Sequence, residues 1–382
     1  MRRLFSILAF LLVTNCYATD LYDGKSLTIP QVFYKDTIYT NVIVSIGNVV
    51  SVGSGENSSL IDFFDESSGQ LFISSVSFSG NIYNNVVVTV ANIQSIGGSQ
   101  SNQSITRMIV NSSKNSYTRY FSKIRNPNVK ITTYFQPGSN PLWQNWIPKG
   151  MNLVAQAVDS TLTYVNAMVA LDENWGTNIL QQNFNVATNS QAISILNLSN
   201  PYKTINYAPF FMSVWNDTVA TQTNSIVKDP VGMRQTPAHE VFHSVQSALA
   251  NGSAPVSKIP TWFKEGHCVY IGTYSSDYLG LNSYLVDARP WSIQRAKSAN
   301  TPNYLLSQIV GYEADYDSYG IGEIATEFLI GLFGIEKSIN IYKEMAKGLN
   351  FDDSFQKAIG INLNTFYSIF EANRQTLLSP VN

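Results

Sequence analysis

The residues with the clearest potential for chemistry lie in TPAHEVFHSVQSALANG, positions 236–252. His239 and His243 are four residues apart, so on a helix both imidazoles lie on one face and can reach a single cation. Glu240 is rotated from His239 by about 100° on such a helix. It would lie beside the cation, where it can polarise a water molecule without being a ligand. This spacing is typical of a zinc site with a general base.

The rest of the chain strengthens this interpretation. The sequence holds only three histidines, and two of them have this ligand spacing. Burial of two imidazoles and a carboxylate without partners costs several kcal/mol, on the order of the general penalty for unpaired polar groups, and a divalent cation removes that cost. Glu265, in IPTWFKEGHCVYIG at 259–272, lies 22 residues after His243 and is the candidate third ligand. That distance leaves room for a loop and an antiparallel second helix.

Helix-boundary residues frame both segments. Thr236 suits an N-cap, Pro237 a first helical position and Gly252 the far end of the first helix, and Pro260 lies near the start of the second. His267 follows Glu265 by two residues and so points to nearly the opposite side of its helix, as a non-ligand. Cys268 is predicted to be a small buried apolar side chain.

The N-terminus has the features of an export signal. Positive residues 2–3 precede an apolar stretch, 4–13, that is too short to span a bilayer. The sequence predicts a signal peptide over 1–18 and a secreted, periplasmic or other cell-envelope protein. Lipid attachment at Cys16 is the alternative, although Asn15 is a poor match to the small residue such processing prefers. No other segment is long and apolar enough to cross a membrane.

Composition narrows the class of protein further. Of the 382 residues, 44% are hydrophobic, which supports a sizeable core, and 13% are charged, which is low. A net charge of −2 offers no basic field for nucleic acid, so no nucleic-acid partner is expected.

An internal repeat occupies the beginning of the predicted mature chain. LTIPQVFYKDTIYTNVIVSIGNVVSVGSG from Leu27 matches LFISSVSFSGNIYNNVVVTVANIQSIGG from Leu71 at an offset of 44 residues. Both copies alternate β-branched and polar residues, which predicts short antiparallel strands. Residues 19–98 are therefore expected to form a duplicated β-rich module, as one small domain or a pair of modules. It is interpreted as a spacer or folding unit, with a recognition module as the alternative.

The residue pattern changes after the repeat. GGSQSNQS at 97–104 predicts a linker, taken as 99–115, before a second domain over 116–382. Residues 150–171 repeat apolar residues at helical spacing, whereas 191–199 and 208–215 are interpreted as strands. Helical patterns continue from Thr236 to about Leu378. The fold class is therefore α+β, with a small all-β repeat domain before a mainly helical C-terminal part.

The motifs AHEVFHSVQ, PTWFKEG and YDSYGIGEIATEFLIGLFG together resemble the gluzincin metallopeptidases, in the thermolysin- and aminopeptidase-related group. The resemblance covers roughly residues 230–335. It implies a gluzincin-like domain, zinc bound by His239, His243 and Glu265, and Glu240 as the general base. The metzincin subtype is excluded because Gln246 and Leu249 replace its glycine and third histidine.

The resemblance also implies a tyrosine that donates a hydrogen bond to the oxyanion. Tyr319 is the first candidate for this role and Tyr316 the second. Many relatives carry an acidic residue four positions after the ligand glutamate, but Val269 stands there, which leaves Asp317 or Glu323 as substitutes. The edge strand that lines the substrate cleft has no clear signature, and 191–199 is its candidate.

The function expected from these residues is hydrolysis of peptide bonds in a protein or peptide substrate by a zinc-dependent enzyme. One alternative is a catalytically inactive zinc-binding surface or adhesion protein on a peptidase scaffold. Two others are a zinc hydrolase acting on a non-peptide bond and a surface β-protein with a chance motif.

Overall fold

The computed structural model describes residues 20–34, 37–53, 61–66, 68–100, 102–196, 201–223 and 225–381. The predicted signal peptide and Cys16 lie outside the described residues. Packing divides the chain into two units, the first drawn from residues 20–33, 38–53 and 62–99 and the second from the rest of the described chain. A sheet region thus precedes a mainly helical half, and the chain is α+β.

The first unit is a single sheet. Its strands are β1 (Asp20–Tyr22), β2 (Ser26–Tyr34), β3 (Thr37–Gly53), β4 (Asp62–Asp65), β5 (Gln70–Phe78), β6 (Asn81–Ser95) and β7 (Gly98–Gln100). The order is β1-β2-β4-β5-β6-β3-β7, and an additional β2–β3 pairing closes five of the strands into a ring. Alternate side chains point inward, because successive residues of a strand face opposite sides. They form one core of Leu27, Ile29, Val32, Val42, Val44, Leu71, Ile73, Val76, Val86 and Val88.

The sequence repeat reappears in the strands. β5 begins 44 residues after β2, and β6 begins 44 residues after β3. Asn41 and Asn85 occupy the same place in the two copies, and both have left-handed backbone with φ of 50° and 51°. Asparagine tolerates that conformation better than most residues. Because β6 pairs with both β5 and β3, the two copies form one sheet rather than two separate modules.

The second unit surrounds a four-stranded sheet with helices. Its strands are β8 (Lys130–Phe135), β9 (Tyr164–Ala170), β10 (Tyr202–Ile205) and β11 (Met212–Asn216). Its helices are α1 (Asn102–Phe121), α2 (Pro141–Ala157), α3 (Glu173–Phe184), α4 (Asn189–Leu196), α5 (Asp217–Gln222), α6 (Ser225–Lys228), α7 (Pro230–Leu249), α8 (Ser253–Val256), α9 (Thr261–Tyr278), α10 (Arg289–Ala296), α11 (Ser318–Phe333), α12 (Ile335–Met345), α13 (Phe351–Ile359) and α14 (Leu363–Leu377).

The sheet has the order β10-β11-β9-β8, so β10 is an edge strand. It pairs antiparallel with β11, whereas β11 with β9 and β9 with β8 are parallel. The predicted strand at 208–215 overlaps β11. The helical pattern predicted over 150–171 is wrong in its second half, which is β9. Residues 165–170 are all buried, and a strand buried on both faces loses the alternation that distinguishes it from a helix.

The strand predicted at 191–199 is also wrong, because most of it forms α4. The Thr188 hydroxyl accepts a hydrogen bond from the Gln191 amide at the start of this helix. Ala192 and Leu196, four residues apart, both face the core. That spacing places them on one side of a helix, which outweighs the β-branched residues in the segment.

The predicted linker over 99–115 is corrected too, since α1 occupies Asn102–Phe121. Ile105 and Ile109 are fully buried despite the polar composition around them. The Ser112 hydroxyl donates to the Gly331 carbonyl on α11 at 2.6 Å. Small hydroxyl side chains of this kind let two helices pack closely, so a serine-rich sequence here builds a buried helix.

Helices α7, α9 and α11 form the centre of the second unit. The backbone of α9 approaches α11 at Gly266 and Gly322, where a Cβ added to Gly266 would lie 2.2 Å from the Gly322 carbonyl carbon. Only glycine permits this contact. The residue before Gly266 is Glu265, so the glycine contact sets the depth at which that carboxylate enters the unit.

Within the described residues, no single helix has the length and apolar composition of a membrane span. The bent pair α11–α12, with 105° between the helices, meets that test only when the two are taken together.

A buried ion pair ties α10 to α11. Arg289 Nε lies 3.0 Å from Glu327 Oε2, and the side chains are 2% and 0% exposed. The Tyr284 hydroxyl donates to the other Glu327 oxygen at 2.6 Å. Arg289 also donates to the Leu377 carbonyl at 2.7 Å, which anchors the end of α14. Each charge in this pair is compensated only by its partners, because water does not reach it.

Replacing Arg289 with methionine should lower the free energy of unfolding by about 3–5 kcal/mol, because Glu327 is left as an uncompensated buried charge. Urea unfolding followed by circular dichroism measures the change. The double variant Arg289→Met/Glu327→Leu should recover part of the loss. Lys347→Met, which removes an exposed lysine from its pair with Glu344, is the control and should cost at most about 1 kcal/mol. A loss of stability in Lys347→Met as large as that in Arg289→Met would show that burial of the Arg289–Glu327 pair is unimportant for stability.

Candidate metal centre

Helix α7 begins earlier than its sequence predicts. It starts at Pro230, where the Asp229 carboxylate caps the Gly232 amide, and Pro237 lies inside it. A proline has no N–H for the carbonyl four residues earlier, here that of Met233. The Thr236 hydroxyl donates to that carbonyl at 3.0 Å instead. Thr236 therefore continues the helix rather than capping it, and the predicted start at 236–237 is wrong.

Helix α9 places the candidate third ligand. It begins at Thr261, directly after Pro260, in agreement with the predicted boundary. The Trp262 ring is fully buried and packs on Phe366, which orients the first turn of the helix. Glu265 follows one turn later and is 4% exposed.

The structure brings His239, His243 and Glu265 together. Glu265 Oε2 lies 3.6 Å from His239 Nε2 and 3.2 Å from His243 Nε2. Glu240 is adjacent, with its Oε1 3.8 Å from His239 Nε2. All four residues are at least nine-tenths buried. The residues that the sequence places on two separate segments therefore share one polar centre.

The two imidazoles determine the ionisation of Glu265. Burial opposes the charged form, but His243 and His239 outweigh that effect and hold the pKa of the Glu265 carboxyl well below its ordinary value. The outer oxygen, Oε1, accepts a hydrogen bond from the Tyr312 hydroxyl. Glu265 is thus ionised, and only Oε2 faces the imidazoles.

Glu240 is held in a similar way by the sheet. The Thr204 hydroxyl, on the edge strand β10, donates to Glu240 Oε2. This contact leaves Oε1 as the oxygen nearest His239. Neither Thr204 nor Tyr312 carries a signal in the sequence, because each reaches the centre from an element distant along the chain.

Gln246 orients His243. Its Oε1 lies 3.0 Å from His243 Nδ1, and its Nε2 donates to the Lys264 carbonyl and the Tyr342 hydroxyl, both at 2.9 Å. Since the amide nitrogen is engaged by acceptors, the amide oxygen receives the proton of Nδ1. Nε2, the other ring nitrogen, faces Glu265. Burial opposes the charged form of His243, but Cys268 and Glu265 outweigh it and raise the pKa of His243 well above its ordinary value, so a cation bound at Nε2 would replace a proton there. Gln246 is three residues after His243, so helical spacing could have identified it.

Cys268 also approaches the centre, from the other side of His243. Its Sγ lies 3.3 Å from His243 Nδ1, and His239, His243 and Cys268 form a buried group whose potential ligand atoms lie within 4.8 Å of one another. This group could hold a metal ion. Burial raises the pKa of the Cys268 thiol to about 11. Cys268 is buried as expected, but its position makes it more than an apolar packing residue.

His267 is separate from this centre, as predicted. It is fully buried, and its Nδ1 lies 3.0 Å from the Tyr342 hydroxyl while Nε2 lies 3.4 Å from the Ser338 hydroxyl. Burial lowers the pKa of His267 to about 3, so it is a neutral core residue.

Neither of the two acidic residues predicted to hydrogen-bond a ligand histidine, Asp317 and Glu323, contacts one. Asp317 caps the start of α11 and pairs with Arg295 at 2.8 Å. Glu323 accepts hydrogen bonds from the Thr273 and Ser292 hydroxyls inside the helical core. Burial raises the pKa of Glu323 to about 8. Both expectations are wrong, because α11 turns these side chains toward α9 and α10. Among the described residues, His239 Nδ1 has no hydrogen-bond partner.

The two candidate tyrosines differ in position. Tyr319 lines the cavity at the centre, and its ring lies nearly parallel to that of His239 at 6.3 Å between centroids. Burial, with Glu265 nearby, raises its pKa, so its hydroxyl keeps its proton. The Tyr316 hydroxyl instead donates to the Gly311 carbonyl at 3.0 Å, away from the centre.

The centre opens into a cavity of about 350 Å³. The polar groups described above share its wall with residues from β10, α8 and the chain around Tyr312. The complete lining is Tyr202, Thr204, Asn206, His239, Glu240, His243, Ser253, Val256, Ser257, Lys264, Glu265, Tyr312 and Tyr319.

Comparisons of the chain with protein-family models, with curated proteins and with solved structures find no match. The chemistry of the centre must therefore be argued from its own geometry.

If the centre holds a divalent metal ion, Gln246→Leu should weaken its binding by about 10–100-fold, because His243 loses the acceptor that keeps its proton on Nδ1. Competition with a chromophoric chelator measures the affinity, and thermal unfolding of the metal-free protein reports on folding. Gln375→Leu, at an exposed position on α14, is the control. Unchanged or tighter binding in a folded Gln246→Leu protein would indicate that the ion uses Nδ1, on the side of Cys268.

Proposed function

We propose that this protein is a zinc-dependent peptidase of gluzincin type, exported to the cell envelope or beyond. The observation that carries the proposal is the convergence of His239 Nε2, His243 Nε2 and Glu265 Oε2 beside Glu240. Tetrahedral zinc, with bonds of about 2.0–2.2 Å to N and O, separates its donor atoms by roughly 3.3 Å. The two separations from Glu265 Oε2, 3.2 and 3.6 Å, are close to that value.

The charges of the centre fit a divalent cation. Glu240 and Glu265 are two buried carboxylates, and Lys264 is the nearest described cation, with Nζ 3.9 Å from Glu265 Oε1. A dication held by the imidazoles in their neutral form compensates both carboxylates. Oxygen and imidazole ligands favour zinc over magnesium or calcium, which prefer oxygen alone.

Two features favour the Glu265 side of His243 over the Cys268 side. Gln246 holds a proton on Nδ1, so the nitrogen that faces Cys268 is not free to bind a cation. Cys268 is also fully buried and is not among the residues that line the cavity, whereas Glu265 lines it. The proposed ligands are therefore His239, His243 and Glu265.

The groups around the ligands fit hydrolysis. When bound, zinc supplies a Lewis acid that polarises a carbonyl and lowers the pKa of water toward neutrality. Glu240 accepts a proton as the water oxygen attacks the peptide carbon, and returns it to the nitrogen as the C–N bond breaks. Thr204 keeps Glu240 turned toward the centre. Tyr319 donates a hydrogen bond from its hydroxyl to the oxyanion. Because water is the nucleophile, no covalent enzyme intermediate is needed.

A catalytic glutamate argues against a purely structural or adhesive role for the centre. A structural zinc site is closed by four protein ligands, whereas three ligands and a cavity leave a position for substrate. The edge strand β10 borders that cavity at Tyr202 and Thr204, where an extended peptide can pair with it. The substrate is therefore a protein or peptide. The export signal, and with it the location outside the cytoplasm, rests on the sequence of residues 1–18.

Glu240→Gln should retain zinc and lose about 10²–10⁴-fold in peptide cleavage, because it removes the proton acceptor but no ligand. Zinc content by mass spectrometry and turnover of mixed fluorogenic peptides are the two measurements. Glu173→Gln, at an exposed position on α3, is the matched control. Full activity in a zinc-loaded Glu240→Gln protein would contradict the assignment. Zinc binding without cleavage by the unsubstituted protein would favour the inactive zinc-binding alternative.

Glu265→Gln removes a charged ligand. It should therefore weaken zinc binding by more than the roughly 10–100-fold expected when a residue that hydrogen-bonds a ligand, such as Gln246, is lost. Cys268→Ala should leave the affinity close to that of the unsubstituted protein. Both are measured by chelator competition on folded, metal-free protein. The opposite pattern, with Cys268 essential and Glu265 dispensable, would move the metal to the other side of His243.

A further inference from the structure

Lys264 places a positive charge in the wall of the cavity. It directly precedes Glu265 on α9, and its carbonyl accepts the hydrogen bond from Gln246, which fixes the backbone there. Its side chain is 15% exposed and lines the cavity. The ammonium lies 4.7 Å from the centroid of the Tyr312 ring, so an aromatic face supports it from one side. This cation is held beside the reaction centre rather than extended into solvent.

The hydrogen-bonding capacity of this ammonium is unused within the part of the chain that the structure describes. Its nearest acidic atom, Glu265 Oε1, is 3.9 Å away, beyond hydrogen-bond distance. That oxygen accepts from the Tyr312 hydroxyl instead. A lysine ammonium has three donors, and leaving them unpaired in a partly buried site is unfavourable. The geometry therefore provides donors directed to a group that enters the cavity.

The other residues of this wall limit which chemical group can bind next to Lys264. Helix α8 and the residue after it contribute Ser253, Val256 and Ser257, which are uncharged. Among the described residues that line the cavity, Lys264 is the only lysine or arginine, while Glu240 and Glu265 serve the metal centre. An anionic group is attracted to Lys264, whereas a cationic group meets a like charge.

We propose that Lys264 selects substrates that carry a carboxylate next to the cleaved bond. The carboxylate is an acidic side chain or the free C-terminus of the peptide, since both present the same group to the ammonium. The inference rests on the proposed peptidase function and deepens it. Lys264 is here a specificity residue rather than a catalytic one, because it acts on a part of the substrate that does not react.

The test compares fluorogenic peptides that differ only by Glu or Gln at each position flanking the cleaved bond. A second pair ends in a free carboxylate or an amide just after it. The zinc-loaded protein should cleave one of the acidic members at least about tenfold better in kcat/KM than its neutral partner. The pair that responds shows whether the carboxylate is a side chain or a chain end.

Three variants separate substrate recognition from support of Glu265. Lys264→Gln should abolish the preference, and Lys264→Glu should reverse it toward peptides with lysine at the same position. Lys258→Gln, an exposed lysine outside the cavity lining, should keep it. An equal loss on all peptides in Lys264→Gln, or no preference in the unsubstituted protein, would overturn the proposal.

Failure of the peptidase assignment gives a different result. If no peptide is cleaved, the proposed function is wrong. Binding of the same labelled peptides to the Glu240→Gln protein, measured by fluorescence anisotropy, then still tests whether Lys264 recognises a carboxylate. Tighter binding of the acidic peptide that disappears in Glu240→Gln/Lys264→Gln supports the cation site. Equal binding of acidic and neutral peptides overturns it.

Discussion

The structure of the second unit depends on bringing a carboxylate from α9 against two imidazoles from α7 inside the protein. Buried polar groups of this kind are stable only when each has a partner. Here the partners come from every side: Tyr312 for Glu265, Thr204 for Glu240 and Gln246 for His243. These contacts leave one oxygen of each carboxylate and one nitrogen of His243 facing a common point. The centre is thus oriented before any ion arrives.

The helical packing explains why this arrangement can be buried so deeply. Close contact of α9 with α11 at Gly266 and Gly322 brings the helix axes together directly below Glu265. Helix α7 runs through Pro237 without breaking, because Thr236 satisfies the carbonyl that the proline cannot. Small or hydroxyl-bearing residues thus allow backbones to approach, and the depth of the centre follows from that approach. Residues of β10 and α8, together with Ser257 and Tyr312, form the rest of the cavity wall.

The two units differ in the functional groups that their described residues contain. The first is one sheet, five strands of which close into a ring, built from two copies of a 44-residue pattern around an apolar core. Its described residues include no group of the kind found at the candidate metal centre. The second carries the polar centre, the cavity and the charge of Lys264. In the proposed function, chemistry and selectivity therefore reside in the second unit, and discrimination comes from charge beside a common hydrolytic site.

Local patterns in the sequence determined much of this protein. The face shared by His239 and His243 and the start of α9 follow from residue patterns within one element, and the repeat and the α+β class follow from comparing such patterns along the chain. Where a pattern is ambiguous, local reasoning failed: the buried strand β9 looked helical, the polar helix α1 looked like a linker, and α4 looked like a strand. Only the tertiary structure decided that Thr204, Tyr312 and Cys268 surround the centre and that Asp317 and Glu323 do not. Such contacts join residues distant in the chain, and their positions depend on how whole helices pack, which no local spacing encodes.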